Sequence, residues 1–484
     1  MAAIAKAAAS LSFLQALIVP HDLSSFSDTS CLVKHFYGSY PEGLSMRNLY
    51  IPDLACLATL PDTLASSSLG PKATIMPSQD HSLVWLYKQD VDADLVMDHP
   101  TLNDVLSKLR SAPSYACSGD TTGAQVPLSG STRCDQPSYE VLSQTQNSTL
   151  LSLHVQTART IDTILPPFWQ SSIIPSSPLT RIPVPDNSVA HIKDLLAKLK
   201  FNPIIAAIVE DISVPQMRND IRYLTGEDST SEIVSRHSLA SGSRVAAAWL
   251  KERFEDTGAT CQLKRFLEGY APNVVCRYAS ATNTTSTILL SAHYDSRGSF
   301  GSTRAPGGDD DGSGTTSLLA MARAIARNNV TFNTNVELVA FAGEEQGLLG
   351  SRAYARELRS VDANLTLMIQ ADMLAYHKPG EPAQLGLPAY IGTPEVANLV
   401  ANVSALYSPE LTVGITYACC SDHQSFHEQG FAATQVFERA GPIADPMYHN
   451  SGDLSERKGY DLEQVKSIAK VQLATLLHAA GFTV

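Results

Sequence analysis

The chain has 484 residues, 44% of them hydrophobic and 17% charged, with a formal net charge of −13. That length exceeds one ordinary domain, and the apolar content supplies ample core. The acidic surplus argues against nucleic acid or an anionic membrane as main partner, since both require basic surface.

The first stretch, MAAIAKAAASLSFLQALIVP (1–20), places one lysine ahead of an Ala-rich apolar run. This is the form of a secretory signal, with an ordinary amphipathic helix as the competing reading. No apolar run reaches the roughly 18 residues of a membrane-spanning helix. Residues 21–190 are rich in Ser, Thr and Pro, as in SGDTTGAQVPLSGSTRCDQPS and PPFWQSSIIPSSPLTRIPVP. The second of these predicts a linker, because its prolines fit neither a helix nor a central strand. The region is expected to be an accessory or pro-region, with a junction near 165–187 open to proteolysis.

The eight cysteines include no C-x-x-C pair; Cys117 with Cys134 and Cys261 with Cys276 are close enough in sequence to bridge. Five glycosylation sequons begin at Asn147, Asn283, Asn329, Asn364 and Asn402. Together these features favour an oxidising compartment, so a secreted or vacuolar glycoprotein is expected.

From about residue 191 to 484 the pattern becomes regular. HIKDLLAKL and RVAAAWLKERFEDTG have helical spacing. TILLSAHYD, NVELVAFAG, LTLMIQADM and ATQVFE are apolar runs of strand length, separated by helical stretches such as GTTSLLAMARAIARN and EVANLVANVSALY; a last helix fills about 461–481. Strands apolar on both faces and alternating with helices predict an α/β fold, a mainly parallel sheet sandwiched by helices. Ligands of such sheets bind beyond the carboxyl ends of the strands.

Polar clusters fall at those ends. They are His293-Tyr294-Asp295, the acids Asp309-Asp310-Asp311 inside APGGDDDGSG, Glu344-Glu345, Asp372, Ser421-Asp422-His423, and a final group from Tyr448-His449 to Asp453. Imidazoles with carboxylates and no cysteine suit zinc or a similar ion. Two histidines with three carboxylates suit a pair of such ions, and the run of acids would balance their charge. A calcium loop fits less well, since the position that should be Glu, counting Asp309 as the first of twelve, is Ala320.

SAHYDS, APGGDDDGSG, AGEEQGLLGS, QADM and YHNSGD, in this order, resemble the M28 family of zinc aminopeptidases over roughly residues 190–484. The resemblance implies the zinc-exopeptidase fold and two Zn2+ ions per chain. His293 and Asp372 would bind one ion, Glu345 and His449 the other, and Asp310 would bridge both, followed by a cis peptide to Asp311. Asp295 would orient the His293 ring, and Glu344 would be the general base acting on a metal-bridged hydroxide. Tyr417, in TYACCSDH, would donate to the oxyanion, although it lies four residues before Ser421 where the family often has three. The implied partner is a peptide with a free N-terminus, cleaved by a monomer at its first bond. Met373, Phe426 and Met447 suggest a pocket for a leucine-like residue. A carboxypeptidase or glutaminyl cyclase-like enzyme on the same fold, or a non-catalytic receptor-like ectodomain, are the alternatives. Only Arg297 and Arg304 in the motifs offer a carboxypeptidase its basic pocket.

Overall fold

The computed structural model describes residues 14–20, 31–60, 73–75, 80–95, 101–111, 139–298, 302, 304–418 and 420–484. They fall into two compact units. The first comprises Met1–Tyr87, Leu106–Thr160 and Ile173–Thr180; the second comprises Lys88–Val105, Ile161–Ser172 and Arg181–Val484. Arg181–Val484 lies wholly in the second unit. Two short segments of the N-terminal region belong with the C-terminal unit, and the stretch expected to be a linker contains the strand Trp169–Ile173.

In the first unit, the strand Leu14–Pro20 pairs antiparallel with Ser45–Tyr50 on one side and Ala73–Ile75 on the other. The expected signal segment thus overlaps an inner strand. Cleavage after residue 20 would remove that strand's ladder on both sides; residues 1–13 lie outside the described residues. A second antiparallel set joins His81–Lys88, Ser148–His154 and Tyr139–Gln144. Tyr40, Leu49, Trp85 and Leu150 share one core, and the buried Trp85 indole donates to the Pro41 carbonyl at 2.9 Å. A disulfide joins Cys31 to Cys56. Cys117 and Cys134 lie outside the described residues.

The second unit is built on a six-stranded sheet. Its order is Ala433–Val436, Leu365–Ala371, Thr287–His293, Asn335–Phe341, Asn273–Tyr278 and Thr260–Lys264. The first four strands run parallel, and the last two are antiparallel additions. Alternate residues of the central strands enter different cores. Ile288, Leu290, Leu338 and Ile369 pack with the helices Ser241–Glu255, Gly312–Arg327 and Leu462–Ala480. Leu289, Val339 and Met368 pack on the other face with Tyr354 and Phe426. This two-sided burial explains why the strands read as continuous apolar runs rather than alternating ones. The expected Cys261–Cys276 disulfide is present and ties the two antiparallel edge strands at opposed positions.

The parallel register sets His293 beside Phe341, so the turn at Glu344 follows directly. Ala371 pairs with Val436, which brings Asp372 to the same edge. Four strand ends therefore deliver their next residues to one rim.

Candidate metal centre and catalytic pocket

The acid triplet separates into three jobs. Asp311 caps the helix Gly312–Arg327 by accepting from Gly314 N at 2.9 Å, and it also accepts from His293 N and Met373 N, each at 3.1 Å. Asp309 accepts from Ala375 N at 2.7 Å and donates its own N–H to Asp453. Both carboxylates are buried and accept from backbone N–H groups. Only Asp310 reaches the centre, after a cis peptide bond to Asp311. The glycines allow this close folding: a Cβ on Gly314 would lie 2.4 Å from Asp311 Oδ1, and Gly307 has φ +53°. Arg236, fully buried, donates to the Tyr294 and Gly307 carbonyls, both at 2.7 Å, and fixes the loop before the triplet.

The two Asp310 oxygens face different imidazoles. Oδ1 lies 3.2 Å from His293 Nε2, and Oδ2 lies 3.1 Å from His449 Nε2. Asp372 approaches His293 Nε2 at 3.7 Å, Glu344 approaches it at 3.9 Å, and Glu345 approaches His449 Nε2 at 3.0 Å. The ligand atoms of His293, Glu344 and Asp372 cluster within 4.8 Å of one another, as do those of Asp310, Glu345 and His449. His293 Nε2 and both Glu345 oxygens are buried without a hydrogen bond. Orphaned buried polar atoms of this kind are costly unless something satisfies them. Imidazole and carboxylate donors converging on two points fit a pair of cations of the zinc type.

The electrostatics agree. Burial opposes charge on His293, but Glu344 and the nearby carboxylates of Asp295, Asp310 and Asp372 outweigh it and push the ring well above the ordinary imidazole range. Burial also pushes the Glu344 carboxyl well above the usual carboxylate range; Asp372, Asp422 and Glu345 add to this against the pull of His293. Glu345 is raised by burial as well. Such a surplus of buried carboxylate calls for positive charge.

Asp295 works mainly on the Glu344-Glu345 turn. Its carboxylate accepts from Glu344 N at 3.3 Å, Glu345 N at 3.4 Å and Ser238 Oγ at 3.0 Å. Toward His293, its backbone carbonyl lies 3.2 Å from Nδ1 and its carboxylate 3.6 Å. On the other histidine, Arg297 Nη1 donates to Nδ1 of His449 at 2.8 Å, leaving Nε2 to the carboxylate side. Arg297 is itself held through Nε by the Asp162 carbonyl at 3.0 Å. Asp162 also accepts from Gln346 at 2.8 Å and pairs with His237 at 2.8 Å. The sequence offered no motif for Asp162 or Arg236; both act through long-range contacts.

Tyr417 is not brought to this centre. Its ring is 45% exposed, packs on Tyr390 at 5.8 Å, and lines a groove of about 670 Å³ with Ile415 and Thr393. Its neighbours Ala418 and Cys420 line the pocket at the metal cluster instead, and the tyrosine there is Tyr448. Of the residues suggested for a leucine pocket, Met373 lines it, whereas Phe426 belongs to the core on the far face of the sheet. Met447 does not line it. His423 is buried and hydrogen-bonds to the Ile391 carbonyl at 3.2 Å.

Comparison with known proteins agrees with this geometry. Residues 273–476 match the family described as Peptidase family M28. A probable leucine aminopeptidase of Arthroderma otae is 28% identical over 284 residues, which is 55% of this chain and 73% of the relative. Leucine aminopeptidase 1 of Pyrenophora teres f. teres is 28% identical over 286 residues, covering 55% and 70% respectively. The LapA aminopeptidase of Legionella pneumophila shares the fold with a TM-score of 0.57 at 16% identity, over 83% of this chain and 99% of its own. LapB of the same organism does so at 0.57 and 17%, over 83% and 100%. The shared fold thus extends beyond the matched stretch, and that stretch, with the motifs running through it, is similar to peptidase family M28.

Proposed function

We propose that the chain is a di-zinc aminopeptidase that hydrolyses the first peptide bond of substrates with a free N-terminus. The observation that carries this is Asp310, whose two oxygens are divided between the His293–Asp372 side and the His449–Glu345 side, with Glu344 beside them. Zinc ions held by these five ligands would supply Lewis acidity at the scissile carbonyl and acidify the attacking water. Glu344 takes the proton from that water and later hands one to the leaving amine. Asp295 holds the Glu344 backbone in place for both transfers. The surplus of buried carboxylate favours a protonated α-amine, which an acetylated substrate lacks. Names carried by the fungal relatives support the same activity.

A carboxypeptidase reading would need a cation free to meet a substrate carboxylate. Arg297 is 1% exposed and engaged with His449 and Asp162. A secreted or vacuolar location is supported by the Cys31–Cys56 and Cys261–Cys276 disulfides and by exposed sequon residues at Asn283, Asn329, Asn364 and Asn402. Among the described residues no helix is long and apolar enough to cross a membrane.

The test is release of nitroaniline from alanyl- and leucyl-4-nitroanilide against their N-acetylated twins, with chelator and zinc add-back. Cleavage of a free-amine compound only, abolished by chelator and restored by zinc, is expected. Cleavage of the acetylated compounds at equal rate would overturn the reading.

A further inference from the structure

We propose that Asp162 is a positioning residue for the Glu345–His449 half of the candidate metal centre, and that the segment carrying it is a permanent part of the catalytic unit rather than a removable pro-region. The inference rests on the two-metal reading and concerns which residue outside the ligand set holds one half of it in shape. Asp162 sits in the short helical turn Ile161–Ile164 and is buried. The stretch Ile161–Ser172 belongs to the second unit, together with Lys88–Val105.

Three short routes lead from this residue to the centre. Its backbone carbonyl accepts from Arg297 Nε at 3.0 Å, and Arg297 Nη1 donates to Nδ1 of His449 at 2.8 Å. Its carboxylate Oδ2 accepts from Gln346 Nε2 at 2.8 Å, and Gln346 follows Glu345 directly in the chain. The same oxygen lies 2.8 Å from His237 Nε2. The next residue, Ser238, donates to the Asp295 carboxylate at 3.0 Å and accepts from Gly343 N at 2.7 Å, which steadies the turn that carries Glu344 and Glu345. The first two routes end at His449 and beside Glu345, both in the same half of the centre.

The partners of Asp162 have little else to hold them. Arg297, Gln346 and His237 are all buried, and Arg297 Nη2 and Gln346 Oε1 already lack a hydrogen bond. Loss of the carboxylate would deprive Gln346 Nε2 and His237 of their acceptor, and an unpaired buried donor is costly enough to make a side chain turn elsewhere. Loss of the whole segment would free Arg297 Nε as well. The segment is also fastened at a distance from Asp162. Gln89 N donates to the Phe168 carbonyl at 2.7 Å, and the Asp92 carboxylate pairs with Lys378 and Arg439, each at 2.9 Å. Removing residues 88–95 and 161–172 would break all of these bonds, so both stretches stay in the working enzyme.

The experiment measures zinc retained per full-length chain over a series of chelator-buffered free-zinc concentrations, for the native protein, Asp162→Ala and Arg297→Met. Melting temperature is recorded on each, and intact mass on the zinc-loaded, active native sample. Each variant should hold one of its two zinc equivalents about 10- to 100-fold more weakly and the other as the native chain does. Should Asp162→Ala fail to fold, Arg297→Met, which cuts the route to His449 and leaves Asp162 in place, gives the same readout. Native zinc retention in a folded variant, whatever its melting temperature, would make the role merely structural and overturn the proposal. Equal weakening of both equivalents, or an active native species lacking residues 161–172, would overturn it too. A native chain that binds no zinc would sink the two-metal reading itself, so the two failures are distinguishable.

Discussion

Asp309, Asp310 and Asp311 look alike in sequence and do different work. The outer two satisfy backbone N–H groups of the helix start and of the residues after Asp372, and the middle one faces both histidines. That candidate cation ligands lay here was legible from the residue types. That two of the three acids are structural was not, because their partners lie 62 to 144 positions away in some cases. The same limit applies to Tyr417, whose place in the motif differs from the family's and whose ring turns out to be exposed. Glu344 falls in the candidate ligand cluster by distance and is the base in the proposed mechanism, and one variant separates the two. Glu344→Gln is expected to lower kcat by about 10²- to 10⁴-fold with zinc content unchanged. Loss of zinc along with activity, read by elemental analysis, would make Glu344 a ligand instead.

The parallel strands were legible because both faces are buried, which leaves no polar alternation to confuse the reading. The antiparallel strand Thr260–Lys264 was not: it lies at the sheet edge with Thr260, Gln262 and Leu263 exposed, so it carries little apolar signal. Beside the sheet, the helix His423–Glu428 begins on a fully buried histidine. Burial, with His427 nearby, lowers its pKa from 6.5 to about 3. The folded chain keeps this ring neutral while the unfolded chain protonates it near 6.5. The stabilisation is therefore complete above that pH and is lost as pH falls toward the folded value. Urea midpoints at pH 7.5 and 5 check this. The stability advantage of the native chain over His423→Gln should shrink by about 2 kcal/mol at the lower pH. An advantage that grows on acidification would contradict it.

At the scale of the whole molecule, composition and motifs located the region that contains the stretch 273–476 matched by the peptidase family. Segments 88–105 and 161–172 carry no motif, and their membership of the second unit depends on contacts such as Asp162 with His237 and Gln346, 75 and 184 positions away. A Pro-rich stretch with the composition of a linker therefore contains Gln170, which lines the cavity beside Asp310 and Glu344. The proposed chemistry turns on one arrangement, a carboxylate placed between two candidate ligand sets. The most direct test is zinc content per folded chain, measured after equilibration with zinc and dialysis, for the native protein and Asp310→Ala. Two equivalents in the native chain, falling to one or none in the variant as hydrolysis is lost, is the result predicted. A native chain that retains full hydrolytic activity with no bound metal would contradict it.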